Sequence, residues 1–205
     1  MSIAHKMSMP PVASCAAIVL AAGASSRLGT PKQLLPYGGK ALLVRTVEAL
    51  LAAPVWPVVV VVGAQADRVR PLLAPYPVLT TYNEGWPEGM ASSVRSGITT
   101  VQQFSSSVGA ALLCVCDQPV LGTAQVLQLV TAAREGPDAT VAARYAGRLG
   151  VPAVFPRARF AELAALTGDT GARGLLERSA GPVIGIDLPE LAFDIDSPSD
   201  VGRDL

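Results

Sequence analysis

Three uninterrupted apolar runs constrain this chain more than any other feature. They are Cys15 to Ala21 (CAAIVLA), Pro57 with the five valines through Val62, and Ala110 to Cys116 (AALLCVC). A strand with one wet face alternates apolar and polar residues. A run with no polar break suits a strand covered on both faces, as in a parallel sheet between helices. The stretches between the runs have helical spacing instead. Leu43, Val47, Leu50 and Leu51 share a face over 41–52, and Met90, Val94, Ile98 and Val101 share one over 90–101. Residues 66–73 read as a third helix and 78–82 as extended. Val126, Leu129, Val130 and Ala133 mark a fourth helix closed by Gly136. Strand–helix order repeated in this way predicts an α/β protein, a three-layer α/β/α sandwich on a mostly parallel sheet.

Beyond residue 140 the pattern loosens into short extended pieces, helices near 158–166 and 171–179, and strands near 183–187 and 191–195. With 205 residues, no repeat and no linker, one domain over 15–205 is expected. Residues 1–14, rich in Met and Pro, read as a disordered tail.

Composition removes whole classes of function. Lys and Arg total 16 and Asp and Glu 16, so there is no cationic surplus for a nucleic-acid face. Cys15, Cys114 and Cys116 do not form a disulfide framework or a zinc cluster. They read as small core residues in a reducing, cytoplasmic setting. The only histidine is His5, in the tail, which excludes Ser-His-Asp and Cys-His catalysis. No apolar run approaches the ~18–20 residues that span a bilayer. Val12-Ala13-Ser14-Cys15 imitates a lipoprotein cleavage box, but Pro10 and Pro11 stand where an apolar signal core belongs.

In parallel sheets ligands gather beyond the carboxyl ends of the strands, which directs attention to the loops after residues 21, 62, 116 and 195. The first is Leu20-Ala21-Ala22-Gly23-Ala24-Ser25-Ser26-Arg27-Leu28-Gly29, followed by Lys32. Small residues allow a tight turn whose N–H groups suit an anion, and Arg27 and Lys32 add positive charge. The spacing fits neither a P-loop nor the Gly-x-Gly-x-x-Gly dinucleotide turn. Asp117 ends the third apolar run, before Gln118-Pro119, where a turn-starting Asp is the plainer alternative. Asp194 and Asp196, two apart on a supposed strand, point to one face, opposite Phe193 and Ile195. Ser197-Pro198-Ser199-Asp200 also reads as a helix cap that presents Asp196. Gly97, inside a helical stretch, implies the close approach of a base, a backbone or a packed neighbour. Neither Trp56 nor Trp86 reads as catalytic, and packing is favoured over a place in the cleft for Trp86.

The string Leu-Ala-Ala-Gly-x-Ser-x-Arg-Leu-Gly followed by Lys32-Gln33-Leu34-Leu35-Pro36 resembles the opening of the nucleotidyltransferases of glycosyltransferase-A-like, Rossmann-like fold. More narrowly it is similar to their molybdenum cofactor cytidylyltransferase branch. Later segments continue the likeness: Asn83 to Gly97, Asp117-Gln118-Pro119, Gly150 to Phe155, Leu166 to Arg173, and Asp194 to Asp200. Cys116 departs from the Gly found in many members. The resemblance implies a Mg²⁺-dependent enzyme that transfers CMP from CTP, or another NTP, to the terminal phosphate of a molybdopterin-type acceptor. Leu20, Ala21, Ala22, Gly23, Arg27, Lys32, Asn83, Ser93 and Asp117 would bind the nucleotide, with Arg27, Lys32 and Asp117 catalytic. Asp117 and Asp196 would hold the metal, with Asp194 in reserve. Gly150, Asp169 and Arg173 would lie on the second-substrate side. Three alternatives stay open: a guanylyltransferase, an oxidoreductase reusing the fold, and a carrier delivering molybdopterin cofactor to a client molybdoenzyme.

Overall fold

The computed structural model describes residues 14–25, 28–168, 174, 176, 181–195 and 200. The strands are β1 (Ser14–Ala21), β2 (Pro36–Tyr37), β3 (Lys40–Ala41), β4 (Val58–Val62), β5 (Leu79–Tyr82), β6 (Val108–Val115), β7 (Thr140–Tyr145), β8 (Arg148–Pro156) and β9 (Val183–Asp187). The helices are α1 (Leu42–Leu51), α2 (Ala66–Leu73), α3 (Met90–Phe104), α4 (Thr123–Glu135) and α5 (Phe160–Ala164). A seven-stranded sheet runs β5-β4-β1-β6-β8-β7-β9, and β2 and β3 form a separate small hairpin.

Each apolar run is a central strand. β1 lies parallel between β4 and β6, with Val19 opposite Val60 on one side and Cys114 on the other. Its side chains alternate between two apolar layers. Cys15, Ala17, Val19 and Ala21 join Leu43, Val47, Leu50, Val126 and Leu129 from α1 and α4. Ala16, Ile18, Leu20 and Ala22 join Val94, Ile98, Val101 and Phe160 from α3 and α5. Both faces of the sheet are therefore covered, and the three-layer α/β/α arrangement holds. The sheet is mixed because β8 pairs antiparallel with both β6 and β7.

The strand order places a switch point at β1, whose chain continues toward β4 on one side and whose other neighbour is β6. Crevices for ligands open at such points, beyond the carboxyl ends of the strands.

Some expectations need correction. Residues 191–195 are not a strand. Pro189–Ala192 is a 3₁₀ turn, begun by Pro189, which can neither donate to a sheet ladder nor extend one. Asp194 therefore does not lie on a strand, and Asp196, expected to share its face, lies outside the described residues. Gly136 does close α4, at φ −122. Ser14 already belongs to β1, whereas the proposed tail and the helix expected near 171–179 lie wholly or mostly outside the described residues. No helix among the described residues is long and apolar enough to cross a membrane.

Candidate functional site

A cavity of ≈ 330 Å³ opens at the switch point. Leu20, Ala22, Gly23, Ala24 and Ser25 line it from the end of β1, and Val115, Cys116 and Asp117 from the end of β6. Lys32 and Gln33 contribute from a 3₁₀ turn, and Trp86, Pro87, Gly89, Met90 and Ser93 from the approach to α3 and its first turn.

The loop after β1 is fixed by its carbonyl groups. Gln33 Nε2 donates to the carbonyl oxygens of Ala21 (2.8 Å) and Gly23 (3.0 Å), and Ala64 N–H donates to that of Ala22 (3.1 Å). In a trans peptide the next N–H points opposite to the carbonyl, so tying these oxygens back turns the Ala22 and Ala24 N–H groups away from Gln33. Ser25 sits at φ 54, a conformation rare for a side-chain-bearing residue, and its Oγ accepts Lys32 N–H at 2.9 Å. The loop and the turn carrying Lys32 thus form one unit.

Lys32 and Asp117, 85 residues apart, meet here: Nζ donates to Oδ2 at 2.8 Å, with each side chain about one-fifth exposed (20 % and 21 %). Water still reaches such a pair, so its worth to stability is modest. Its effect is to hold a cation and a carboxylate against the same wall. Gln118 anchors the turn below, donating to the carbonyls of Val151 (3.2 Å) and Leu191 (3.1 Å). Ile195 N–H donates to the Asp117 carbonyl at 2.9 Å, so the segment bearing the exposed Asp194 runs beside Asp117.

The other residues singled out fall into groups. Ser93 lines the cavity, but Asn83 does not: its Nδ2 donates to Ser92 Oγ (2.8 Å) and Ser93 Oγ (3.1 Å), positioning them. Ala21 faces the opposite apolar layer and reaches the site through its carbonyl. Gly150 is a buried β8 residue where a Cβ would stand 2.5 Å from Tyr145 Oη, whose proton goes to Val151 O at 2.8 Å. Tight packing against Tyr145 accounts for its lack of a side chain. Gly97 is explained by close approach to β1, since a Cβ there would lie 2.5 Å from Ile18 Cγ2. Arg27, Asp169, Arg173 and Asp196 lie outside the described residues.

Sequence reasoning missed Gln33 and Gly63. A Cβ on Gly63 would lie 2.8 Å from Ala22 Cβ and from its carbonyl oxygen, and 2.9 Å from Trp86 Cβ. Its bare Cα lets three segments converge. Trp86, read as a packing residue, lines the cavity. Burial, with the Asp117 charge adding to it, pushes the Cys116 thiol up to about 12, so the sulfur at this wall is not a thiolate nucleophile.

What the arrangement can do follows from its donors. Among the described residues there is no group of three His, Cys, Asp or Glu able to cage a metal. Mg²⁺ needs no such cage, because it is usually held by one or two carboxylates together with substrate phosphates. The Asp117 carboxylate beside the small-residue loop fits that mode.

The family model of the MobA-like NTP transferase domain matches residues 17–183. The chain belongs to that family. Among MobA-like relatives, nicotine blue oxidoreductase of Paenarthrobacter nicotinovorans is 34 % identical over 172 residues, 78 % of this chain and 80 % of that protein. The purine catabolism protein PucB of Bacillus subtilis is 28 % identical over 89 % of this chain and 92 % of its own length. Rv0371c of Mycobacterium tuberculosis superposes with a TM-score of 0.80 at 29 % identity, covering 94 % of this chain and 97 % of its own. That protein has also been solved in complex with manganese.

Proposed function

We propose that this MobA-like NTP transferase is a divalent-cation-dependent nucleotidyltransferase that moves CMP from CTP to the terminal phosphate of a molybdopterin-type acceptor. One observation carries the reading: the Lys32–Asp117 pair lies on the wall of a cavity floored by the Leu20–Ser25 loop, at the sheet's switch point. CTP rather than GTP rests on Leu20-Ala21-Ala22-Gly23 and its likeness to the cytidylyl branch.

Loop amides, Lys32 and Arg27 receive the triphosphate. Lys32 Nζ exchanges the Asp117 carboxylate for a phosphate oxygen, which frees Asp117 for Mg²⁺, and Asp196 supplies the second carboxylate. The manganese complex of Rv0371c supports a divalent cation. A divalent cation held by Asp117 and Asp196 would supply charge neutralisation at the phosphates. Ser93, oriented by Asn83, donates toward the nucleotide. Gly150, Asp169 and Arg173 belong to the acceptor side.

An oxygen of the acceptor phosphate attacks the α-phosphorus, the new P–O bond forms, and the bond to the bridging oxygen breaks with release of pyrophosphate. That nucleophile is already ionised at neutral pH, so no general base is required. The chain's single histidine, His5, is then no obstacle. Positioning and charge stabilisation do the catalysis.

The test is pyrophosphate release from CTP, GTP and ATP with a molybdopterin acceptor, with and without Mg²⁺. CTP is expected to be preferred, and Asp117→Ala to lower turnover by roughly 10²- to 10³-fold, the usual loss on removing one electrostatic contact to a transition state. Unchanged turnover in Asp117→Ala removes the metal assignment. A second reading is favoured by the 34 % identity to nicotine blue oxidoreductase, namely a redox enzyme on this fold. Nicotinamide oxidation with no pyrophosphate release would select it.

A further inference from the structure

We propose that Trp86 is a stacking platform, an indole face on which the flat heteroaromatic ring of a substrate lies. The inference rests on the reading above in taking the cavity for a substrate site. The indole packs in part on the apolar layer beneath α3 and in part lines the cavity. Leu20, Pro87, Met90 and Val115 give the wall its apolar component, while Lys32 and Asp117 give it charge. A ligand that is anionic at one end and a flat ring at the other matches that division.

The residue is also held in place. Glu88 N–H donates to Gly85 O at 3.0 Å and Gly89 N–H to Trp86 O at 3.2 Å, closing the 3₁₀ turn Trp86–Glu88. Gly63 meets the Cβ of Trp86 with no side chain of its own between them. With its backbone fixed and its indole packed in part on the apolar layer, the residue gives up little rotamer freedom on stacking. Trp86 is only half-buried, and the part not packed on that layer borders the cavity, where a ligand's ring can reach it.

Two substrates of the proposed reaction carry such a ring, the base of the triphosphate and the pterin of the acceptor, and the experiment separates them. The chain has two tryptophans. Trp56 lies at the start of β1, its N–H on Cys15 O, whereas Trp86 lies at the far end, roughly 25 Å away at ~3.3 Å per strand residue. Trp56→Phe therefore leaves Trp86 as the sole indole reporter.

In that protein, with Mg²⁺, fluorescence is titrated with CTP, with a phosphorylated pterin and with inorganic triphosphate, and binding is followed in parallel by calorimetry. Saturable quenching by CTP assigns the platform to the base, and quenching by the pterin assigns it to the acceptor; either supports the proposal. Inorganic triphosphate is expected to bind without quenching. Trp86→Leu, which keeps apolar bulk, should weaken the ring ligand roughly 5- to 150-fold and spare inorganic triphosphate, and Trp86→Phe should restore affinity to within about threefold. Ring ligands that bind without quenching, or a Leu variant that binds them as tightly as the parent, overturn the platform. If pyrophosphate release then persists, the transferase reading survives alone. Failure of every triphosphate to bind overturns both.

Discussion

Gln33 is 2 % exposed, and its carboxamide nitrogen reaches two carbonyl oxygens of the loop that receives the triphosphate in the proposed reaction. Gln33→Glu keeps the shape, deletes both donors and sets an acceptor-only group against the Ala21 and Gly23 oxygens. At ~1 kcal/mol net for each hydrogen bond, the loop loses enough restraint to raise KM for the triphosphate roughly 10- to 100-fold. The turnover number should fall less, because Lys32 and Asp117 are untouched. Steady-state pyrophosphate assays on both proteins check this, and an unchanged KM would mean the loop holds its shape without Gln33. The signal for this residue was present in the sequence, an uncharged polar side chain between Lys32 and the apolar pair Leu34-Leu35. It points to no role on its own, because nothing local says that a carboxamide is folded inward. Lys32 and Asp117 were legible because their surroundings match a known pattern. Gly63 was not, since its importance comes from Ala22 and Trp86, which are distant in sequence. Roles for Arg27, Asp169, Arg173 and Asp196 rest on resemblance alone.

Between elements, α3 lies close against β1 at Gly97. Gly97→Ala gains ~1 kcal/mol of helix propensity, but its Cβ would press on Ile18 Cγ2 at 2.5 Å and Val61 Cγ2 at 3.2 Å, inside a layer with no room to yield. Overpacking a core costs ~1–3 kcal/mol, so the net effect is a loss of up to about 2 kcal/mol, read as a lower urea midpoint at constant m-value. A stabilised variant would show that α3 can move away from β1. Gly63→Ala acts on other elements, since its Cβ meets backbone at Ala22 O (2.8 Å), which cannot swing aside. It is expected to displace the loop after β1 and weaken triphosphate binding at least as much as Gln33→Glu does, as measured by calorimetry. The central strands were plain from their composition because burial on both faces leaves a one-residue-deep signature in every apolar run. The end of the chain misled for the opposite reason. Leu191, Phe193 and Ile195 alternate as in a strand, but Pro189 starts a 3₁₀ turn, and burial of Leu191 and Ile195 is met by irregular backbone.

At the scale of the whole molecule, the same double burial that makes the sheet legible couples its stability to pH. Burial pushes the Cys15 thiol up to about 12, against partial lowering by a Leu112 backbone hydrogen bond, and raises Cys114 as well. Both belong to the apolar layer under α1 and α4, on neighbouring strands β1 and β6. An unfolded thiol titrates near 8.5, so above that pH the unfolded chain releases protons that the folded chain keeps. The stabilisation is therefore complete below about pH 8.5 and is lost as the pH climbs toward 12, at up to about 1.4 kcal/mol per pH unit for each thiol. Tyrosines and lysines titrate in the same window, so the comparison must be internal. The parent protein and a Cys15→Ala, Cys114→Ala variant are unfolded in urea at pH 7, 9 and 10.5. Replacing two small buried side chains lowers stability at every pH, but only the parent should lose the additional increment of up to about 2.8 kcal/mol per unit between pH 9 and 10.5. Parallel curves for the two proteins would mean that water reaches these sulfurs in the folded state, which a sheet sealed on both faces does not allow.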